Sequence, residues 1–183
     1  MSKNAIKLLI LIAFMASGCS LDLKTKELVK ENLQEQSITL IDNFFDLSYV
    51  ENHAIAFGFL GNMAKNIRIP LIFILTISAT LCMFYFISKI RHEKLSVQLP
   101  FFIILGGAYG NIIDRMINGF VTDFFHVHYF YSYNFPVFNV ADVLINIGII
   151  LMLIQWKKFT PVFERFFKTD VETISKAPFS EEK

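Results

Sequence analysis

Four stretches of this 183-residue chain are too apolar, and each nearly long enough, for anything but a membrane or the centre of a large core. They cover about residues 5–21, 69–88, 98–116 and 136–156. Each approaches the roughly 20 residues that a helix rising 1.5 Å per residue needs to cross hydrocarbon. A chain this short has no core large enough to bury four such helices, so the spacing predicts a membrane α-helical protein with four transmembrane helices. Composition agrees: 54% of the residues are hydrophobic, mean hydropathy is +0.50, and 21 are Phe. Pro70, Pro100 and Pro136 stand at the predicted span starts, where a missing N–H costs nothing. Residues 1–162 read as one membrane domain and 163–183 as a polar tail.

The basic residues set an orientation. Lys3 and Lys7 precede the first span, Lys89, Arg91 and Lys94 lie between the second and third, and Lys157 and Lys158 follow the fourth. Segment 117–135 has no Lys or Arg at all. Both termini are therefore expected in the cytoplasm, with loops 22–68 and 117–135 outside. In the outer loop 22–68, SITLI (37–41) and FFDLSYVEN (44–52) read as short strands separated by Asp42 and Asn43. The small β-rich region is thus placed between the first two helices, and 54–64 reads as an amphipathic segment on the membrane surface. A net charge of +1 gives no global field that would draw nucleic acid.

Polar residues inside spans are costly and ask for a reason. Here they gather at one depth: Asp22 at the outer end of span one, Asn111, Asp114 and Arg115 in the last turns of span three, Asn139 and Asp142 in the first turns of span four. Asn139, Asp142 and Asn146 follow i, i+3, i+7 and share a helix face. One reading is interhelical hydrogen bonding that holds the bundle together, and Asp114 beside Arg115 reads as a structural ion pair. A channel or transporter subunit would need polar residues through the full thickness, yet TLCMFYFIS and GIILMLIQ are nearly bare. His126 and His128 would share one face of a strand and could form a metal pair with Asp123, although the aromatic run around them reads as an interfacial belt. Gly106 and Gly110 form a GxxxG pattern suited to close helix packing. The start MSKNAIKLLILIAFMASGC also has the form of a lipoprotein signal, in which Cys19 would be lipidated and span one removed.

Four blocks, in order, resemble the lipoprotein signal peptidases (signal peptidase II). They are D-L-K-T-K (22–26), E-N-H-A-I-A-F-G (51–58, matching at Asn52, Ala56 and Phe57), G-G-A-Y-G-N-I-I-D-R-M-I-N-G-F-V-T-D-F (106–124) and F-N-V-A-D (138–142). The chain departs from the family pattern at Leu23-Lys24, Glu51, His53 and Ile55. The resemblance implies an intramembrane aspartic endopeptidase of the bacterial cytoplasmic (inner) membrane, with Asp123 and Asp142 as the catalytic pair. Asn52, Asn111, Asp114, Arg115, Asn139 and Asp22 would bind substrate or brace the site. It implies no metal and no cofactor. The partner is a prolipoprotein signal peptide cut before a diacylglyceryl-modified cysteine, with membrane lipid around a monomeric enzyme. Two carboxylates sharing a site cannot both ionise comfortably, so one holds a proton while the other takes one from water.

Overall fold

A computed structural model of the chain describes residues 2–54, 63–130, 132–161 and 164. Three helices are long and apolar enough to cross a membrane: α1 (Lys3–Asn32), α2 (Lys65–Lys89) and α3 (Leu95–Asn118). A fourth apolar helix, α4 (Val140–Ile154), has 15 residues, and helical backbone resumes over 156–161 after a break at Gln155. The long exposed apolar faces, such as Ile74, Ile77 and Leu81 on α2 and Leu153 and Ile154 on α4, belong with lipid rather than water.

Helix α3 is the centre of the bundle: half of its most apolar window is buried, against 6% for α2. Glycines let its neighbours in. A Cβ on Gly106 would sit 2.8 Å from the Met15 carbonyl of α1, and one on Gly110 would overlap the Asp22 carboxylate. On the other side, Gly148 of α4 fits against the Pro100 carbonyl, where an added Cβ would lie 2.8 Å away. The GxxxG pattern therefore serves close packing, as expected. Helix α2 joins through Met83, Phe86 and Ile87, against the core of Ile90, Val97, Phe101 and Phe159. At that end Lys7 donates to the carbonyls of Arg91 and Glu93 at 2.8 and 2.9 Å, so the basic start of α1 and the basic 90–94 turn lie together.

Several boundaries differ from expectation. Helix α1 runs past residue 21 to Asn32 without a break, because the polar turn LDLKTKELVKEN is a good helix former even where hydropathy falls. Asp22 is thus mid-helix rather than at a helix end, and Cys19 lies in the same unbroken helix. Pro70 and Pro100 are the sixth residues of their helices, not the first, since polar residues begin each helix a turn earlier. Pro136 precedes α4 and its N-cap Asn139.

At the opposite end from Lys7 stands a four-stranded antiparallel sheet in the order β1-β2-β3-β4. Strands β1 (Ile38–Ile41) and β2 (Phe45–Asn52) fall where predicted, and the turn between them uses Asn43 at φ 58°, a conformation asparagine tolerates well. The sheet is not confined to the loop between α1 and α2. Its longest strand, β3 (Val121–Tyr129), and the short β4 (Tyr133–Asn134) come from the segment between α3 and α4. The aromatic segment after α3 is thus a strand. Gly119 at φ 81° ends α3 in a left-handed cap and turns the chain into β3. Most of the 54–64 segment, Ala56 and Phe57 of the second motif block, and nearly all of the tail lie outside the described residues.

Candidate active site

The site forms where the sheet meets the ends of α1, α3 and α4. Phe124 and Phe125 donate their backbone N–H groups to the Phe138 carbonyl at 3.0 and 2.7 Å, and Phe138 N–H returns to Phe125 at 3.1 Å. This short bridge lays residue 139 beside β3. Asn139 then donates its side-chain amide to Asp123 Oδ1 at 2.5 Å and to the Thr122 carbonyl at 3.3 Å. From the other side Asn52, at the end of β2, donates to Asp123 Oδ2 at 2.8 Å. Asp123 is 2% exposed.

Asn139 also begins α4. Its side-chain oxygen accepts from Asp142 N–H at 3.0 Å, and Asp142 Oδ2 accepts from Asn139 N–H at 3.1 Å, a reciprocal capping box. Asp142 therefore sits in the first turn of α4, nearer the start of its helix than its place six residues inside a span from 136 would give. Asn111 of α3 donates to Asp142 Oδ1 at 3.1 Å and accepts from Asn139 at 3.1 Å. One asparagine thus holds both aspartates, and a second holds Asp142 and the first asparagine.

Beneath this lies a buried ionic layer. Asp22 is fully buried, accepts from the Ala141 backbone N–H at 2.7 Å and pairs with Lys26 at 2.7 Å, one helical turn on. Lys26, 3% exposed, also donates to Asn111 Oδ1 at 2.7 Å and lies 3.5 Å from Asp114. Asp114 accepts from Thr122 N–H and the Asn118 amide, both at 2.7 Å, which ties α3 to the start of β3. Lys26 was not singled out from sequence. The signal was there, at i+4 from Asp22, but it requires α1 to continue past the apolar stretch.

All eight residues named from sequence stand in or beside this layer. One pairing does not: no ion pair joins Asp114 to Arg115. Consecutive helical residues point about 100° apart, so Asp114 meets Lys26 while Arg115 reaches the other way. Its guanidinium donates to the Ala54 carbonyl at 2.7 Å and, at 3.4 Å, to that of Asn52. Asn146 lies apart, its amide bonded back to the Asp142 carbonyl on an exposed face. His126 and His128 do not group with Asp123; alternation along β3 sends them to Asp46 on β2.

The electrostatics single out Asp123. Burial, reinforced by the nearby Asp142 carboxylate, pushes its pKa up to about 7, against the opposing pull of the Asn52 and Asn139 amides. Asp142 is only half-buried. Beside it, Val143, Phe138, Phe125, Val127, Phe44 and Phe45 line an apolar cleft of about 340 Å³. The arrangement can hold a proton on one carboxyl group, present a second carboxyl group nearby, and offer an apolar ligand an open, apolar groove.

Known proteins share this sequence and fold. The family described as Signal peptidase (SPase) II matches residues 14–158. A lipoprotein signal peptidase of Syntrophotalea carbinolica is 38% identical over 153 residues, covering 82% of this chain and 92% of that protein. One from Clostridium tetani is 39% identical over 145 residues, covering 78% and 89%. Among solved structures, a bacterial membrane enzyme determined by the in meso method at 2.3 Å superposes with a TM-score of 0.69 at 29% identity, covering 82% of this chain and 89% of that one.

Proposed function

This chain belongs to the signal peptidase II family, and we propose that it is an intramembrane aspartic endopeptidase that releases signal peptides from prolipoproteins by cutting before a diacylglyceryl-modified cysteine. The observation that carries this reading is the bridge through Asn139, which bonds Asp123 and Asp142 at once. Asp123 holds the shared proton and Asp142 acts as base. Asp142 takes a proton from a water molecule as its oxygen attacks the scissile carbonyl carbon, and Asp123 gives its proton to the carbonyl oxygen. Collapse of the tetrahedral intermediate breaks the C–N bond. The new amine takes the proton held by Asp142, and the carbonyl re-forms as its hydroxyl proton returns to Asp123. Each step leaves one proton on the pair, the logic of carboxylate dyads.

Asn52, Asn139 and Asn111 hold the carboxyl groups in place; Asp22, Lys26, Asp114 and Arg115 brace the elements that carry them. The apolar cleft beside Val143 takes the acyl chains of the substrate; it lies between the sheet and the start of α4 rather than between helices. Helix α4 is taken as a fourth span: its 15 residues cover about 22 Å at 1.5 Å per residue, with Lys157 and Lys158 just beyond it at the cytoplasmic side. Both termini are cytoplasmic, the sheet faces outward, and the enzyme acts as a monomer. The direct test is to incubate the purified protein with a synthetic precursor peptide carrying the diacylglyceryl cysteine. Two products should form, one beginning at the modified cysteine. An intact precursor, or equal cleavage of the unlipidated peptide, would refute the assignment.

A further inference from the structure

Among the described residues, one cluster of metal-ligating side chains stands apart from the dyad, on the sheet. Asp46 of β2 lies directly opposite His126 of β3 in the antiparallel register, and His128 is two residues along on the same face. His128 is 1% exposed and Asp46 6%; His126 is half-buried. His128 Nε2 lies 2.9 Å from Asp46 Oδ2, the two imidazole rings are 4.9 Å apart, and one ligand atom from each of the three residues falls within 4.8 Å of the others.

We propose that Asp46, His126 and His128 form a divalent transition-metal site, best suited to zinc, that clamps β2 to β3. Two histidine nitrogens and a carboxylate oxygen are a ligand set typical of zinc. Ligands bound tetrahedrally at about 2.0–2.1 Å stand about 3.3–3.4 Å apart, so the Asp46–His128 pair is already spaced nearly as two ligands of one ion. The third ligand atom lies within 4.8 Å of the other two and must close by up to about 1.4 Å to reach that spacing; His126 is the member exposed enough to admit an ion and make that movement. Its fourth position stays open to water. The site is distinct from the dyad: Asp123 does not belong to it, and the face carrying Phe125 and Val127 is the opposite one.

The chain has four histidines, which makes the test clean. The tag-free full-length protein in detergent, stripped with EDTA, is titrated calorimetrically with zinc chloride, and bound metal is counted after desalting. The wild type should take up one zinc per chain, and cobalt in its place should give the visible absorption of a tetrahedral site. His126→Ala should lower the affinity at least about tenfold, the scale of even indirect perturbations of metal sites. The double variant His53→Ala/His92→Ala should bind as the wild type does. Because Asp46 and His128 also form a buried hydrogen bond, loss of folding in their variants is uninformative, and His126→Ala carries the decision. A wild type that binds no more zinc than His126→Ala would overturn the proposal, leaving Asp46–His128 as a hydrogen-bonded pair that pins two strands.

Discussion

Asn139 and Asp142 exchange two hydrogen bonds, each backbone N–H to the other's side-chain oxygen, at 3.1 and 3.0 Å. Asp142 is therefore a helix cap as well as the proposed base, and substitutions there act on two links of the chain from sequence to function. Replacing a capping side chain with alanine typically costs about 0.5–2 kcal/mol. Asparagine keeps an acceptor in place and isolates the chemistry.

Asp123→Asn and Asp142→Asn should each reduce cleavage of a lipidated precursor at least a hundredfold while the protein still purifies as a folded species. The double variant should be scarcely slower than either single one, because the two carboxyl groups act as a unit. Turnover assays decide this. A single variant that keeps a tenth of wild-type turnover, a loss of about 1.4 kcal/mol, would sink the dyad.

The raised pKa of Asp123 has a thermodynamic consequence. Its folded value of about 7 lies above the ordinary aspartate value of 3.8, so between these pH values the folded state binds more protons than the unfolded one. This group's contribution to stability should therefore decline as pH rises from about 4 to 7. Melting temperatures of wild type and Asp123→Asn should coincide near pH 4 and draw apart as pH rises to 7, with the asparagine variant the more stable. Cleavage should also fall above about pH 7 as the required proton is lost. Parallel melting curves would refute the protonation assignment.

Lys26→Met should destabilise the fold by about 3–5 kcal/mol, because it leaves Asp22 and Asp114 buried without their cation. Lys26→Met combined with Asp22→Asn should recover part of the loss. Thermal melts in detergent measure both. Equal damage from the single and double variants would mean that the pair is not the source of the cost.

Arg115→Ala should weaken activity as well as folding, since Arg115 holds the carbonyls of Asn52 and Ala54, and Asn52 in turn holds Asp123. Expected results are a lower yield, a lower Tm and a loss of kcat larger than any change in KM. A variant of normal stability with only KM altered would place Arg115 in substrate contact instead.

Fusion reporters test the proposed orientation. Periplasmic reporters should be active near residues 40 and 128, and cytoplasmic reporters near residue 93 and the C-terminus. The contact between Lys7 and the 90–94 turn requires the N-terminus and that turn to behave alike. An active cytoplasmic reporter at 128 would invert the topology.

The polar layer was legible in the sequence because charges within apolar stretches have few bland explanations. Asn52, outside any span, could be found only through its motif block, since nothing local marks it. Lys26 was legible only as the last residue of the D-L-K-T-K block, without a role, because a lysine after an apolar run looks like an interfacial anchor until the helix is known to continue. Strand β3 was obscured because FFHVHYFY is apolar or aromatic at positions of both parities, with Phe124 packed on Val29 and Leu33 and Phe125 on Phe45 and Phe138. A strand covered on both faces loses the alternation by which strands are recognised. The Asp114–Arg115 pairing failed for a simpler reason: adjacency in sequence is not adjacency around a helix.

The bond between Lys26 and Asn111 spans 85 residues of sequence. During synthesis α1 must leave the insertion machinery carrying an aspartate and a lysine whose remaining partners on α3 have not yet been made. The i, i+4 spacing lets the two residues neutralise each other within one helix, so α1 can wait in the bilayer as a self-contained unit. Helix α3 then adds Asn111 and Asp114, and α4 completes the layer with the Ala141 N–H that Asp22 accepts. A pairing that looks like reinforcement of the finished fold also solves a problem of timing in its assembly.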